Sequence, residues 1–375
     1  MKRLRTFFNG IYKQAKEKPV LRTLMPLIRM MDNFIFESGG VVTDAPLIRD
    51  GIGTQRFMSM VIVAIAPATI ASVYFFGWRS LSVIAVSYIF GGITEIIFAI
   101  VRKESINEGL LVTGILFPLT LPPTIPLWMV AVGVVVGVAL GKEVFGGTGK
   151  NIFNPALVGR VFLAIAFPVE MTTKWTAPVG GFWGGFTTYL PDAVTSATPL
   201  TIFKSTGQLT TNLDLLWGNV AGSLGETSAL LLILGGLFLM LTKVSNWRIP
   251  VGYLGSAFSF GWVMWLLVPQ KFAPPVFQLL SGGLLFGAFF MATDPVSAPI
   301  TNLGRWIYAL LLGIITIVIR GLSGYVEGVM FAILFMNIFS SLINDMTVPL
   351  IARRRERRVK ASLSARLGSP KNLTK

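Results

Sequence analysis

The chain has 375 residues, 53% of them hydrophobic and only 13% charged, with a formal net charge of +15 and a mean hydropathy of +0.70. A soluble domain carries about a quarter charged residues, so apolar runs of this density need lipid rather than water as their solvent. The absence of cysteine and histidine excludes iron–sulfur clusters, blue copper, histidine-ligated haem and any flavin linked through those side chains; electrons passing through such a protein ride on organic cofactors.

The positive charge is not a nucleic-acid footprint. Residues 1–56 hold ten Lys/Arg and five Asp/Glu, residues 351–375 hold nine and one, and these ends supply 13 of the 15 net charges. Basic ends around a hydrophobic body follow the positive-inside rule.

In chain order, a basic segment (1–56) comes first, with no signal-peptide pattern. Leu24, Leu27, Ile28, Met31 and Ile35 recur in it at helical spacing, opposite Arg22, Arg29 and Asp32, an amphipathic stretch fit to lie along the cytoplasmic interface. The first membrane half (57–169) carries apolar runs at 57–77, 80–101, 110–121, 127–140 and 156–167. A Gly-, Thr- and Trp-rich stretch (170–226) follows. The second half (227–343) carries runs at 229–242, 250–268, 276–292, 306–319 and 326–343, and a basic tail (344–375) ends the chain. The expected fold is an all-α integral membrane protein of about ten spans. An even count places both termini on one side, and Arg102, Lys103, Lys142, Lys150, Lys243, Arg248 and Arg305 in the same-side loops name that side as cytoplasmic. The 170–226 stretch then lies outside. Two runs are short for about 30 Å of hydrocarbon. Leu110–Leu121 contains Pro118 and ends at Pro122-Pro123, while Ala156–Phe167 follows Asn154-Pro155 and ends at Pro168. Such spans are either broken, re-entrant helices or helices with frayed ends, and the count allows a five-plus-five inverted repeat.

Acidic residues at membrane depth are functional candidates. Glu95, seven residues before Arg102, lies about 10 Å along a helix from its cytoplasmic end. Asp294, Glu327 and Asp345 flank the last spans; as hard oxygen ligands they suit a cation pathway, and solvated interfacial acids are the plainer account.

The segment Asp192-Ala193-Val194-Thr195-Ser196-Ala197-Thr198-Pro199-Leu200 resembles the flavinylation motif of the family shared by the B subunit of the sodium-pumping NADH:quinone reductase and the D subunit of the Rnf ferredoxin:NAD oxidoreductase. Ser196 stands where that family often has Gly. Pro46–Asp50, Asn107-Glu108-Gly109, Gly141–Asn151 with Asn154-Pro155-Ala156, and Ala292–Val296 look like further family blocks, so the resemblance runs from about residue 25 to about 350. Asn107-Glu108-Gly109, Glu143–Gly149 and the long basic N-terminus favour the sodium pump over Rnf.

The resemblance implies a covalent FMN, attached through its phosphate to Thr198 by a flavin transferase that Asp192 helps to dock, and a second, non-covalent riboflavin. It implies a six-subunit inner-membrane complex whose other members bind NADH and carry FAD and iron–sulfur centres, with electrons passing to quinone and Na+ exported. Gly91-Gly92-x-x-Glu95 matches a family segment implicated in quinone and inhibitor binding, and Glu95, Asp294, Glu327 and Asp345 match carboxylates linked to sodium. The family's acid in the N-terminal stretch aligns with Arg29 here, so that role is not carried over. The rivals are an Rnf-type subunit and, from another class, a non-redox ten-helix transporter or channel.

Overall fold

The computed structural model describes residues 54–103, 109–189 and 195–367, together with Gly10. The amphipathic N-terminal stretch, Pro46–Asp50, Asn107-Glu108 and Asp192 lie outside the described residues.

Among the described residues the fold is all-helical. Helices α1 (Thr54–Phe76), α2 (Arg79–Arg102), α3 (Gly109–Leu119), α4 (Leu127–Gly141) and α5 (Pro155–Ala166) form the first half. The short helices α6 (Pro168–Thr173), α7 (Pro199–Thr206) and α8 (Asn212–Trp217) fold the 170–226 stretch. The second half comprises α9 (Ala229–Leu241), α10 (Arg248–Leu267), α11 (Pro275–Leu280), α12 (Leu284–Phe286, continuing as the π-turn Gly287–Met291), α13 (Asn302–Leu322) and α14 (Val329–Leu367).

Six helices are long and apolar enough to cross a membrane, namely α1, α2, α4 with the short turn after it, α10, α13 and the first part of α14. Three more are apolar but short, with 11 residues in α3, 12 in α5 and 13 in α9. At 1.5 Å per residue they reach only about 17–20 Å. The run at 276–292, expected as one span, is instead two pieces. Ser281, Gly282 and Gly283 separate α11 from α12, and Gly282 takes φ +61°, a left-handed conformation that glycine adopts at little cost. The interruptions at Pro118 and Asn154-Pro155 fall where the sequence puts them. Asn154 caps α5 by accepting from Ala156 N at 3.0 Å, with Pro155 at the first helical position.

Large apolar side chains also cover the outside of the long helices, Val63, Ile70, Leu266 and Leu267 among them, as an apolar solvent permits. Inside, small residues and hydroxyls hold helices together. Gly313 on α13 brings that helix so close to α10 that a Cβ there would lie 2.8 Å from Tyr253 O. Beside it, Tyr253 Oη and Thr316 Oγ1 meet at 2.7 Å, and Tyr308 Oη donates to Asn337 Oδ1 on α14 at 2.8 Å.

The packing recurs between the halves. In the first, α2 packs on α3 and α4, and α4 on α5; in the second, α10 packs on α11 and α13, and α13 on α14. The 170–226 stretch is docked on the bundle: Val179 N donates to Phe75 O at 2.7 Å, Trp78 Nε1 to Phe186 O at 2.8 Å, and Gly225 N to Leu119 O at 2.7 Å.

Candidate functional site

Thr198 sits where the docked stretch turns into α7. The preceding segment is pinned by the isolated antiparallel bridge between Thr176 and Thr195 and by Ser196 N donating to Trp175 O at 2.8 Å. Thr198 is extended (φ −70°, ψ 155°) and Pro199 opens the helix, so Thr198 is its N-cap. Its Oγ1 accepts from Thr201 N at 3.4 Å and meets Thr201 Oγ1 at 2.9 Å. A half-exposed hydroxyl at a helix N-terminus faces the positive end of the dipole, with the Leu200 N–H beside it, a setting that favours an anionic substituent. At the other end of α7, Lys204 Nζ donates to Ser323 O at 2.6 Å, Tyr325 O at 3.1 Å and Arg320 O at 3.3 Å. These carbonyls end α13 and begin the next loop, so one lysine ties α7 to the second half.

Thr198 lines a cavity of about 460 Å³, within the roughly 300–1,000 Å³ of small-molecule sites. Trp175, Leu200, Val326 and Met330 supply its walls; Ser223, Glu226 and Glu327 make it polar. Behind these carboxylates stands Arg160, in the middle of α5 and 5% exposed. Its Nη1 lies 3.1 Å from Glu226 Oε1, and its Nη2 pairs with Glu327 Oε2. Glu327 Oε1 accepts from Gly283 N at 2.6 Å. Gly283 packs against both carboxylates so tightly that any side chain there would collide with them. Arg320 on α13 completes the cluster, donating to Gln278 O at 2.6 Å and Ser281 O at 3.1 Å. The α11–α12 break thus has its free carbonyls covered by Arg320 and its free N–H by Glu327, as a broken helix inside a membrane protein requires.

A second ionic cluster occupies the opposite end of the bundle. Glu95 on α2, 3% exposed, pairs with Lys142 at the end of α4. Lys142 Nζ lies 3.6 Å from Glu143 Oε1, and Glu143 Oε2 lies 3.0 Å from Arg102 Nη1. Glu95 is therefore held inside rather than reaching for the interface. The face of Gly91 is filled: a Cβ there would meet Val134 Cγ2 at 3.2 Å and Leu110 Cδ1 at 3.5 Å. Gly92 is looser, with only Leu110 Cδ2 at 3.8 Å.

The predicted cation-pathway carboxylates are not together. Asp294 and Lys142 line a cavity of about 80 Å³ at this end. Asp294 Oδ1 accepts from Val296 N at 3.1 Å and its Oδ2 from Ser297 Oγ at 3.2 Å; burial raises its pKa and these hydrogen bonds oppose the rise. Asp345 is exposed on α14, and Glu327 belongs to the Thr198 end. No group of three or more acidic residues among the described residues could hold a metal ion.

The sequence profile of the NQR2, RnfD, RnfE family matches residues 41–353. The chain belongs to this family. The B subunit of the Na(+)-translocating NADH-quinone reductase of Ectopseudomonas mendocina is 37% identical, with 94% of this chain and 98% of the relative covered. The subunits of the same name from Yersinia pestis and Chlamydia pneumoniae are 34% and 30% identical, over 95% and 94% of this chain and 99% of each relative. These relatives are subunits of an oxidoreductase complex. The NQR2, RnfD, RnfE match spans both membrane halves and the whole Thr198 cavity.

Arg160 and Glu226 escaped the sequence reading. A search for acids at membrane depth does not find Arg160, although an arginine inside the apolar run 156–167 is itself the signal. Glu226 was absorbed into the polar stretch, and nothing local marks its pairing 66 residues away.

Proposed function

We propose that this chain is the flavin-bearing membrane subunit of a Na+-translocating NADH:quinone reductase, with FMN linked through its phosphate to Thr198. One observation carries the reading. Thr198 places a half-exposed hydroxyl at the N-terminus of α7 and, at the same time, at a flavin-sized cavity with apolar walls and a polar floor. The hydroxyl supplies the ester oxygen, the Leu200 N–H and the α7 dipole hold the phosphoryl charge, and Trp175 and the aliphatic walls keep water from the ring. The flavin supplies the electron transfer when bound. The test is covalent flavin fluorescence on a denaturing gel, present in the native chain and lost in Thr198→Ala. The relatives' shared name favours the sodium pump over Rnf, and a tether in a cavity favours redox work over a channel.

The quinone reading attaches to Gly92 more than to Gly91, because only Gly92 has room beside it. Gly92→Ala should keep the fold and raise the quinone KM while NADH still reduces the internal flavins at the normal rate. Gly91→Val should instead lower stability by about 1–3 kcal/mol through overpacking against Val134. An unchanged quinone KM in Gly92→Ala would remove this segment from the quinone site.

The proposed topology has ten crossings as a five-plus-five inverted repeat, with both termini cytoplasmic in a bacterial inner membrane. The recurring packing supports the repeat. Phe57, near the start of α1, lines the same cavity as Lys142. Thr347 on α14 meets Thr301 at 2.6 Å, in the loop that follows Asp294. The helical body thus begins and ends at the Lys142 end, where Arg102, Lys103 and Lys150 also lie, and that end is the cytoplasmic one by charge. A C-terminal reporter active only in the cytoplasm should be on, and one inserted after Gly207 should be off; the reverse pattern would invert the assignment.

A further inference from the structure

We propose that Ser223 and Glu226 read the polar edge of the ring held in the Thr198 cavity, with Glu226 accepting from the ring imide N–H and Ser223 donating to a neighbouring ring carbonyl. The inference rests on the reading of Thr198 as the tether.

The polar groups of the cavity have unequal freedom. Both oxygens of Glu327 are taken, one by Arg160 and one by Gly283 N. Glu226 gives Oε1 to Arg160, which leaves its Oε2 without an arginine; burial and the neighbouring Glu327 raise the carboxyl to about 7, against Arg160 and Ser223. Ser223 is 0% exposed and lines the same cavity; its Oγ lies beside the Glu226 carboxylate and opposes the rise of its pKa, yet makes no hydrogen bond of good geometry. A buried hydroxyl without a partner costs about 1–3 kcal/mol, and native proteins rarely leave one unless something else satisfies it. Backbone geometry keeps the two together, since Glu226 N donates to Ser223 O at 3.2 Å. The site therefore offers a carboxyl oxygen, anionic above about pH 7, and a hydroxyl on a single turn, opposite apolar walls. A flavin ring has the matching polarity. Its dimethylbenzene end is apolar, and its far edge alternates carbonyl, N–H and carbonyl. A chain anchored by its phosphate at Thr198 leaves that far edge for the polar floor. Arg160 acts here as a positioning residue: by occupying Oε1 it turns the other Glu226 oxygen toward the ligand. The predicted specificity is for planar rings with an unsubstituted imide N–H, whatever the side chain on the ring.

The test uses the assembled complex carrying Thr198→Ala, which frees the cavity of its tether. A covalent flavin band that survives this change on a denaturing gel would sink the tether reading by itself, whatever the outcome of the ligand titrations. Lumiflavin and its N3-methyl derivative are then titrated, with quenching of ligand fluorescence as the readout. Lumiflavin should bind at least about tenfold more tightly, because methylation removes a charge-assisted hydrogen bond and leaves the carboxylate oxygen unpaired. Adding Ser223→Ala should weaken lumiflavin several-fold and keep the preference against methylation. Adding Glu226→Gln, which retains shape and removes charge, should shrink that preference. Equal affinities for the two ligands, undetectable lumiflavin binding, or an unchanged affinity in Ser223→Ala would each overturn the proposal.

Discussion

Thr198→Ala should abolish the covalent flavin. In membranes from cells that co-express a flavin transferase, the native chain should give a band fluorescent under ultraviolet light on a denaturing gel, and the variant none at equal protein. The expected effect is all-or-none, because the ester needs an oxygen and alanine has none. Losing the N-cap should also cost about 1 kcal/mol of α7 stability, so the control is Thr198→Ser, which keeps both cap and hydroxyl and should keep at least part of the band. Thr201→Val, which removes the hydroxyl beside Thr198 Oγ1, should leave attachment in place. A band of undiminished intensity in Thr198→Ala would move the tether elsewhere, with Thr195 the next hydroxyl to try.

The second large effect belongs to Arg160. Arg160→Met leaves Glu226 and Glu327 facing each other in the interior without the guanidinium that binds both. Breaking a buried ion pair by removing one partner costs about 3–5 kcal/mol, chiefly from the stranded charge. The variant should accumulate poorly, and the detergent-solubilised complex should lose its thermal transition at a markedly lower temperature. Adding Glu226→Gln and Glu327→Gln should recover most of that loss, since neutral amides need no counter-ion. If the triple variant were no better than Arg160→Met, the penalty would lie in packing around α5 rather than in electrostatics. Thr198 needs none of these charges for its ester, so variants that reach the membrane should still carry the flavin.

Much of the fold could be read before any coordinates. Pro118, Pro122-Pro123 and Asn154-Pro155 marked the short helices because proline lacks an N–H and asparagine caps a helix, both local effects. The nonapeptide ending at Leu200 marks Thr198 as the candidate tether in the same local way. The α11–α12 break was not seen, because hydropathy adds the apolar residues on either side of Ser281-Gly282-Gly283 and takes no account of φ. The Arg160 cluster was missed for a different reason. Its members come from α5, the turn before α9, the α11–α12 break, α13 and the segment before α14, and the Arg160–Glu327 contact spans 167 residues. No periodicity encodes a meeting of that kind. Conversely, depth and the Gly91-Gly92-x-x-Glu95 spacing single out Glu95 in the sequence, whereas its partner Lys142 reads there only as a loop charge.

The Arg160 cluster also bears on how the protein responds to voltage. A single charge moved across 100 mV of membrane potential changes its energy by about 2.3 kcal/mol. With both carboxylates ionised, Arg160, Arg320, Glu226 and Glu327 are two positive and two negative side chains, Arg160 paired with both acids and Arg320 fixed to carbonyls of the broken helix. A rigid shift of that group along the membrane normal carries no net charge, so the potential neither drives nor resists it. In that ionisation state the floor of the cavity is electrically silent, and protonation of Glu226, whose pKa burial raises to about 7, would give it a net positive charge.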